Sequence, residues 1–484
     1  MKHPLLLCIL LSGCATATVE DSTASEATSS EGASSDGPSS EGTSSGDATA
    51  NTSGGTTSAN SSSDSASTGD TEGESTTDGA DEPSVGIPPY NPLMGVGWKG
   101  STSLIDYPQT GVVIEGDVIV DIDDGLDGKN PEERLRDAIS LLHTNDRVLV
   151  RNNSDVTVDL TTAIVRQEDW DTPKQLFAHG VQRIRINAQN VANKDILYFK
   201  NAGSEHWKGF ELVGTPSAPD AVIMIENSTR ILIEDFHIHH NPTGKPVRIN
   251  GGSDSIVQDS VAWRNGTLGI AHTDVPDGMA ASAFSARARF VRNVVINPND
   301  DGFDLWSATE SAIIDCVSIN AGRYWDNTMA GDGNGFKLGG EPTALGGNWI
   351  SGSAAINNHI SGVTWNWQAG APLNIEQITT TDNLHGITVG AGAHAVSSVL
   401  SFDNLSASGN VNGGQDSIDM NSNVATGNCW NLNNPCPNPQ FADPVNGDFS
   451  LLPGSPYINT GLEGQTLGAS EIALALIKIN WTRQ

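Results

Sequence analysis

Basic side chains are scarce in this chain of 484 residues: 25 Lys and Arg stand against 58 Asp and Glu, a formal charge of −33. That balance repels polyphosphate, which excludes nucleic-acid binding as a working class. Long apolar runs are lacking too. Leu5–Leu11 has seven residues, far short of the about 20 that cross a bilayer as a helix, and no later run comes near that length. The five cysteines have no metal-site spacing, so a zinc ribbon or finger is excluded. Helical periodicity is confined to one stretch, Pro131–Leu142, amphipathic with an acidic first turn. What the chain has in abundance is glycine, 52 residues, and short β-branched runs between Asn, Gly and Asp.

The charge is unevenly spread. Of the 58 acidic residues, 14 lie between Ala15 and Gly86, a segment with no Lys, Arg or aromatic residue. It buries too little apolar surface to offset its chain entropy and is expected to be a disordered tether over residues 14–86. Removing those 14 acids and Lys2 leaves 44 acidic and 24 basic residues for residues 87–484, so the folded part is acidic in its own right. Ahead of the tether, Lys2-His3, the Leu5–Leu11 run and Ser12-Gly13-Cys14 have the layout of a short signal peptide over residues 1–13. Leu11-Ser12-Gly13-Cys14 resembles the bacterial lipobox, which implies cleavage before Cys14 and lipidation of its sulfur. The expected location is the bacterial cell envelope, at the outer membrane or cell surface, with the membrane touched only through that anchor. Export places Cys316, Cys429 and Cys436 in a disulfide-permissive compartment, where Cys429 and Cys436 are spaced to close a small loop and Cys316 is left as a buried thiol.

Internal repetition decides the fold of residues 87–484. Seven segments align: Asp235–Asn241, Asp259–Asn265, Asn293–Asn299, Asp315–Ala321, Gly352–Asn358, Gln377–Asn383 and Ser398–Asn404. Their starts are 24, 34, 22, 37, 25 and 21 residues apart, and six of the seven end in Asn. Asparagine repeated at one corner of successive coils can stack and hydrogen-bond its neighbours' backbone. The expected fold is all-β, a right-handed parallel β-helix, with Gly116–Thr162 and its single helix as a short N-terminal cap over the open end. The length then accommodates one solenoid, expected to be a monomer.

A second strand follows each corner: Gly302–Trp306, Gly335–Gly339, Gly362–Asn366 and Gly386–Gly390. Alternation turns Phe303, Phe336, Val363 and Ile387 inward, and leaves Asp304, Lys337, Thr364 and Thr388 as an outward column. Asp277-Gly278-Met279-Ala280 matches one coil earlier, and Lys245–Arg248 earlier still. Residues in one column of adjacent coils are about 4.8 Å apart. Asp277, Asp300, Asp301 and Asp304 are therefore expected to converge, and their mutual repulsion calls for a hard, oxygen-seeking cation, Ca²⁺. Beside them, Lys337 would be turned toward the neutral amine by burial and a nearby metal, and so could serve as a base. Two insertions, residues 266–288 and 322–346, are placed to wall a groove around the site.

Asp277-Gly278, Asn299-Asp300-Asp301-Gly302-Phe303-Asp304-Leu305-Trp306 and Gly333–Gly340 resemble the calcium and base motifs of family 9 polysaccharide lyases, over roughly residues 200–410. The resemblance implies that Asp277, Asp300, Asp301 and Asp304 bind Ca²⁺, that Lys337 is the Brønsted base, and that the substrate is an acidic polysaccharide. Pectate is the first candidate, with rhamnogalacturonan or alginate as alternatives, and a non-catalytic glycan-binding β-helix as the non-enzymatic one. Where the family places a Lys four residues after Asp277-Gly278, this chain has Ser282. Arg248, Arg264, Arg323 and Tyr324 are candidate substrate contacts. Gly447–Leu451 with Pro453–Pro456 is similar to the closing segment of many bacterial β-helix proteins.

Overall fold

The computed structural model describes residues 113–483, except 181, 192–194, 215–219, 243, 267–275, 325, 327, 340–345, 366–372, 390–393, 403, 405–416, 419–422, 425–427 and 430–436. The signal segment, Cys14, the tether and Cys436 lie outside the described residues.

Short β-branched strands stack in parallel as three long ladders. The first sheet runs through Lys245–Ser253, Met279–Ser282, Phe303–Asp304, Phe336–Lys337, Ser361–Thr364 and His385–Val389. A second runs through Ile256–Gln258, Arg289–Val291, Ala312–Ile314 and Trp349–Ser351. The third is a separate ten-stranded sheet that includes His237–His239, Val261–Trp263, Val294–Ile296, Val317–Ile319 and Ala354–Ile356. The first two are joined by the 14-residue strand Ala221–Glu234, whose residues up to Thr229 pair with Lys245–Ser253 and whose last three pair with Ile256–Gln258. A chain that visits three sheets in turn and returns one strand further along is a β-helix.

Register on the first sheet follows the alternation. Val247, Met279, Phe303, Phe336, Val363 and Ile387 occupy one inward column and are all buried. The Phe303 and Phe336 rings stack with centroids 5.3 Å apart. Arg248, Ala280, Asp304, Lys337, Thr364 and Thr388 form the adjoining outward column.

The corner into the third sheet is made by one left-handed residue per coil: Asp235, Asp259, Arg292, Asp315, Gly352, Gln377 and Ser398. The third aligned segment therefore begins one residue early, at Arg292, and its corner position is Pro298 where the repeat pattern predicts Asn299. Asparagines do stack at both ends of the ladder. Asn241 Nδ2 donates to Asn265 Oδ1, Asn358 Nδ2 to Asn383 Oδ1 and Asn383 Nδ2 to Asn404 Oδ1, each at 2.9 Å. Between them the column holds Pro298 and Ala321, and a second run one residue earlier takes over, with Asn320 Nδ2 donating to Asn297 Oδ1 and Asn357 Nδ2 to Asn320 Oδ1 at 3.0 and 2.7 Å. Asn383 also accepts from Asn358 N and donates to Ala355 O. Asn383→Ala leaves several of these buried groups unpaired and is expected to lower stability by about 3 kcal/mol, read as a shift of the urea midpoint at unchanged slope.

Helix α1, Pro131–Leu141, is N-capped by Asn130 in a capping box with Glu133, and buries Leu135, Ala138 and Ile139 in the central core. The neighbouring strands Val118–Asp121 and Arg147–Arg151 belong to the second sheet, so the cap is the helix together with the first coil. The chain has a second helix that the single-helix expectation missed: α2, Glu471–Asn480, N-capped by Ser470. Its Ala473, Leu476 and Ile477 pack on Val294, Ile296, Val317, Ile319, Ala354 and Ile356, the outer face of the third sheet. The closing segment supplies Phe449 to the same cluster. Among the described residues no helix is long and apolar enough to cross a membrane. Cys316 is a buried free thiol, its sulfur hydrogen-bonded within the inner ladder, and Cys429 is disulfide-bonded.

Candidate active site

Each motif reads acid or amide, glycine, then strand, and the coil stacking explains why. Gly278 N donates to Asp301 O and Gly302 N to Asn334 O, both at 2.8 Å, so Asp277, Asp301 and Asn334 share one column at the edge of the first sheet. A Cβ on Gly278 would lie 2.4 Å from Gly302 O, and one on Gly302 would lie 2.6 Å from Gly335 O. Only glycine lets the coils approach closely enough to bring the preceding side chains together.

Asp277, Asp301 and Asp304 are buried, and each offers a carboxylate oxygen within 4.8 Å of the others. Asp301 is held on both sides. Its Oδ1 accepts from Asn334 N and Nδ2, each at 2.8 Å, and its Oδ2 pairs with Lys337 Nζ at 2.8 Å. Asp304 Oδ1 is buried with no hydrogen-bond partner among the described residues. An orphaned carboxylate oxygen in a cluster of hard oxygen donors fits a divalent cation. Burial, followed by the neighbouring carboxylates, pushes the Asp304 carboxyl well above its usual range, and burial raises Asp301 as well.

Asp300 stands outside this group of three. Its Oδ1 accepts from Asp332 N at 2.6 Å, where the 322–346 insertion folds back over it: Gly322 N donates to Asp300 O at 2.8 Å and Gly331 N to Asn299 O at 2.7 Å. Burial and the charges of Asp301 and Asp277 push the Asp300 carboxyl up to about 8.

Lys337 lies where the column places it, but its charge state differs from the expected neutral amine. Burial disfavours the ammonium, and Asp301, Asp304 and Asp277 outweigh burial to hold it protonated well above the usual lysine range. The Trp306 ring, centroid 5.9 Å from Nζ, flanks it.

Of the candidate substrate contacts, only Arg248 shares the column of Asp304 and Lys337; its Nε donates to Ser282 Oγ at 3.0 Å and its Nη1 pairs with Asp220. The guanidinium of one coil thus reaches the Ser282 of the next. Arg264 is exposed on the third-sheet corner, where its charge acts on His240. Arg323 opens a short antiparallel bridge to Met329, and the Tyr324 ring beside it is buried rather than presented to solvent. Two contributors were not singled out from the motifs. Asn334 orients Asp301, and Lys245, on the coil before Asp277, places Nζ 3.5 Å from Asp277 Oδ2. Both occupy the residue before or near a matched strand start, the same signal that located Asp277.

Comparison with known proteins bears on the fold and the family. Residues 121–391 match the model of the family described as Pel9A-like, right-handed β-helix region. The chain is 32% identical over 218 residues to pectate lyase L of Dickeya dadantii (strain 3937), covering 43% of this chain and 48% of that one. It is 29% identical over 317 residues to pectate lyase L of Paenibacillus polymyxa (strain SC2), covering 60% and 65%. The chain therefore spans about half to two thirds of the length of these curated relatives. Among solved structures, pectate lyase Pel9A superimposes with a TM-score of 0.57 at 20% identity, over 75% of this chain and 97% of that one. A rhamnogalacturonan lyase superimposes at 0.55 and 18%, over 69% and 93%. On the family match, which covers more than half of its length, the chain belongs to the Pel9A-like right-handed parallel β-helix family.

Proposed function

We propose that the protein is a calcium-dependent polysaccharide lyase that cleaves a polyuronide, pectate first among them, by β-elimination. The observation that carries this reading is the juxtaposition of three buried carboxylates within 4.8 Å of one another and a lysine whose Nζ is 2.8 Å from one of them. A glycan-binding scaffold has no use for a lysine held against a buried acid cluster on an outward strand.

Asp277, Asp301 and Asp304 would hold the ion, with Asp300 interacting with them through its charge. When bound, Ca²⁺ neutralises the carboxylates that keep Lys337 protonated and draws charge from a uronate carboxylate, which acidifies its C5 proton. Asn334 fixes the Asp301 carboxylate, and through it the position of Lys337. The neutral Lys337 Nζ then takes the C5 proton, the C4–C5 double bond forms, and the C4–O bond breaks with the electron pair leaving on oxygen. That oxygen is protonated by solvent as the product departs, so no water is added and the new chain end is unsaturated. Arg248, two coils before Asp304 and three before Lys337 in the same column, would pair with a uronate further along the polymer.

The test is to incubate the full chain with polygalacturonate, rhamnogalacturonan and alginate, each with CaCl₂ at alkaline pH, and follow the ultraviolet absorbance of the unsaturated end. Absorbance that rises with polygalacturonate and stops on chelation is expected. Growth on another polymer alone reassigns the substrate, and no growth with any of them sinks the lyase reading.

A further inference from the structure

Lys245 has no part in the elimination described above, yet it is built into the site. It sits on the coil before Asp277 in the same column, by the register that pairs Val247 with Met279. Its Nζ lies 3.5 Å from Asp277 Oδ2, and its side chain keeps 23% exposure. Asp277 is the strongest charge acting on it, followed by Asp220, Arg248 and Asp304. Asp277 therefore faces two cation positions, the carboxylate cluster on one side and a lysine on the other. A site shaped only to hold a metal tightly gains nothing from an ammonium on one of its ligands, because the two cations repel through the shared carboxylate. A lysine stem, in contrast to a rigid guanidinium, can swing from one anion to another.

We propose that Lys245 is an exchangeable counter-cation: it competes with the metal for Asp277 and, once displaced, pairs with a carboxylate of the polyuronide on the coil before Asp277. This rests on the reading of the cluster as a calcium site. It makes calcium and substrate binding mutually reinforcing, since each frees or occupies the group that opposes the other.

Calorimetric titration of CaCl₂ into the full chain, without substrate, reads the competition directly. Uptake that Asp301→Asn abolishes defines the cluster and separates it from weak binding to the acidic tether. Lys245→Met is expected to tighten that uptake about tenfold, and Lys245→Arg, which keeps the charge, to stay near wild type. At saturating calcium, Lys245→Met is expected to raise KM for polygalacturonate about tenfold with kcat changed less than about twofold, the pattern of lost ground-state binding. Thermal melting of both variants checks that they fold; if Lys245→Met does not, Lys245→Gln takes its place. Unchanged calcium affinity in the folded neutral variant overturns the proposal while the calcium reading stands. Uptake that is equal in wild type and Asp301→Asn overturns the calcium reading and the proposal together.

Discussion

Lys337→Ala is expected to lower the rate of unsaturated-product formation by about 10³-fold at saturating calcium, within the range that a positioned base supplies. The outward column around Lys337 offers no substitute: Asp304 and Thr364 flank it in register, and Asp304 is committed to the buried cluster. The same substitution removes the ammonium that sits 2.8 Å from Asp301, so calcium binding is expected to hold or tighten. Activity is thus lost while metal binding is kept, which no unfolding or ligand-loss artefact produces. Lys337→Arg keeps the charge but stays protonated at any working pH, and is expected to be as inactive as alanine. The amine must be neutral to take a proton, so the rate at saturating calcium should climb with pH across the alkaline range as the neutral fraction grows. An alanine variant that retains more than about a tenth of the rate would place the base elsewhere.

The solenoid and the column positions of the candidate site were legible in the sequence because both are written in short-range periodicity. Alternation sets which residues of Gly302–Trp306 and Gly335–Gly339 face out, and one-coil repetition sets Asp304 beside Lys337; the register repeats both. What escaped depends on contacts distant in sequence. Asp300 stands next to Asp301 in the chain, and its Oδ1 also accepts from Asp332 N, 32 residues further on, in an insertion whose path no local pattern describes. The Asn column was misregistered by one at Arg292 because Asn293 and Asn299 imitate the corner spacing while Pro298 holds the corner. Helix α2 was missed because Ile472–Ile477 is an apolar run too short to distinguish strand from helix by composition. Its partners on the third sheet decide the matter. The protonated state of Lys337 follows from summing three buried carboxylates around one amine, a quantity that column positions alone do not yield.

Asp301→Asn is expected to abolish calcium uptake at the cluster and to lower activity at least about 100-fold even in excess calcium, while leaving the fold intact. The asparagine keeps an oxygen for Asn334 N and Nδ2, both of which donate to Asp301 Oδ1 in the native chain. What it removes is a buried negative charge, and the pH dependence of stability shows how that charge matters. Without calcium, Asp300 has its pKa raised to about 8, chiefly by burial and then by Asp301 and Asp277. A carboxyl whose folded pKa exceeds its unfolded value holds a proton in the folded state that the unfolded chain has already released. Stability then falls as pH rises between the two values, from the ordinary carboxyl range up through about 8. Lys337, raised well above the usual lysine range, stays charged throughout that window and adds no slope to it. The melting temperature of the calcium-free protein is therefore expected to drop between about pH 5 and pH 9. Calcium supplies the charge that the cluster lacks and should flatten the profile. Asp301→Asn should flatten it as well, without calcium, because one of the charges that raises Asp300 is gone. A slope that calcium and Asp301→Asn both leave unchanged would show that the cluster's repulsion is not what the metal relieves, and the carboxylates would then have to be read as a structural network rather than as ligands.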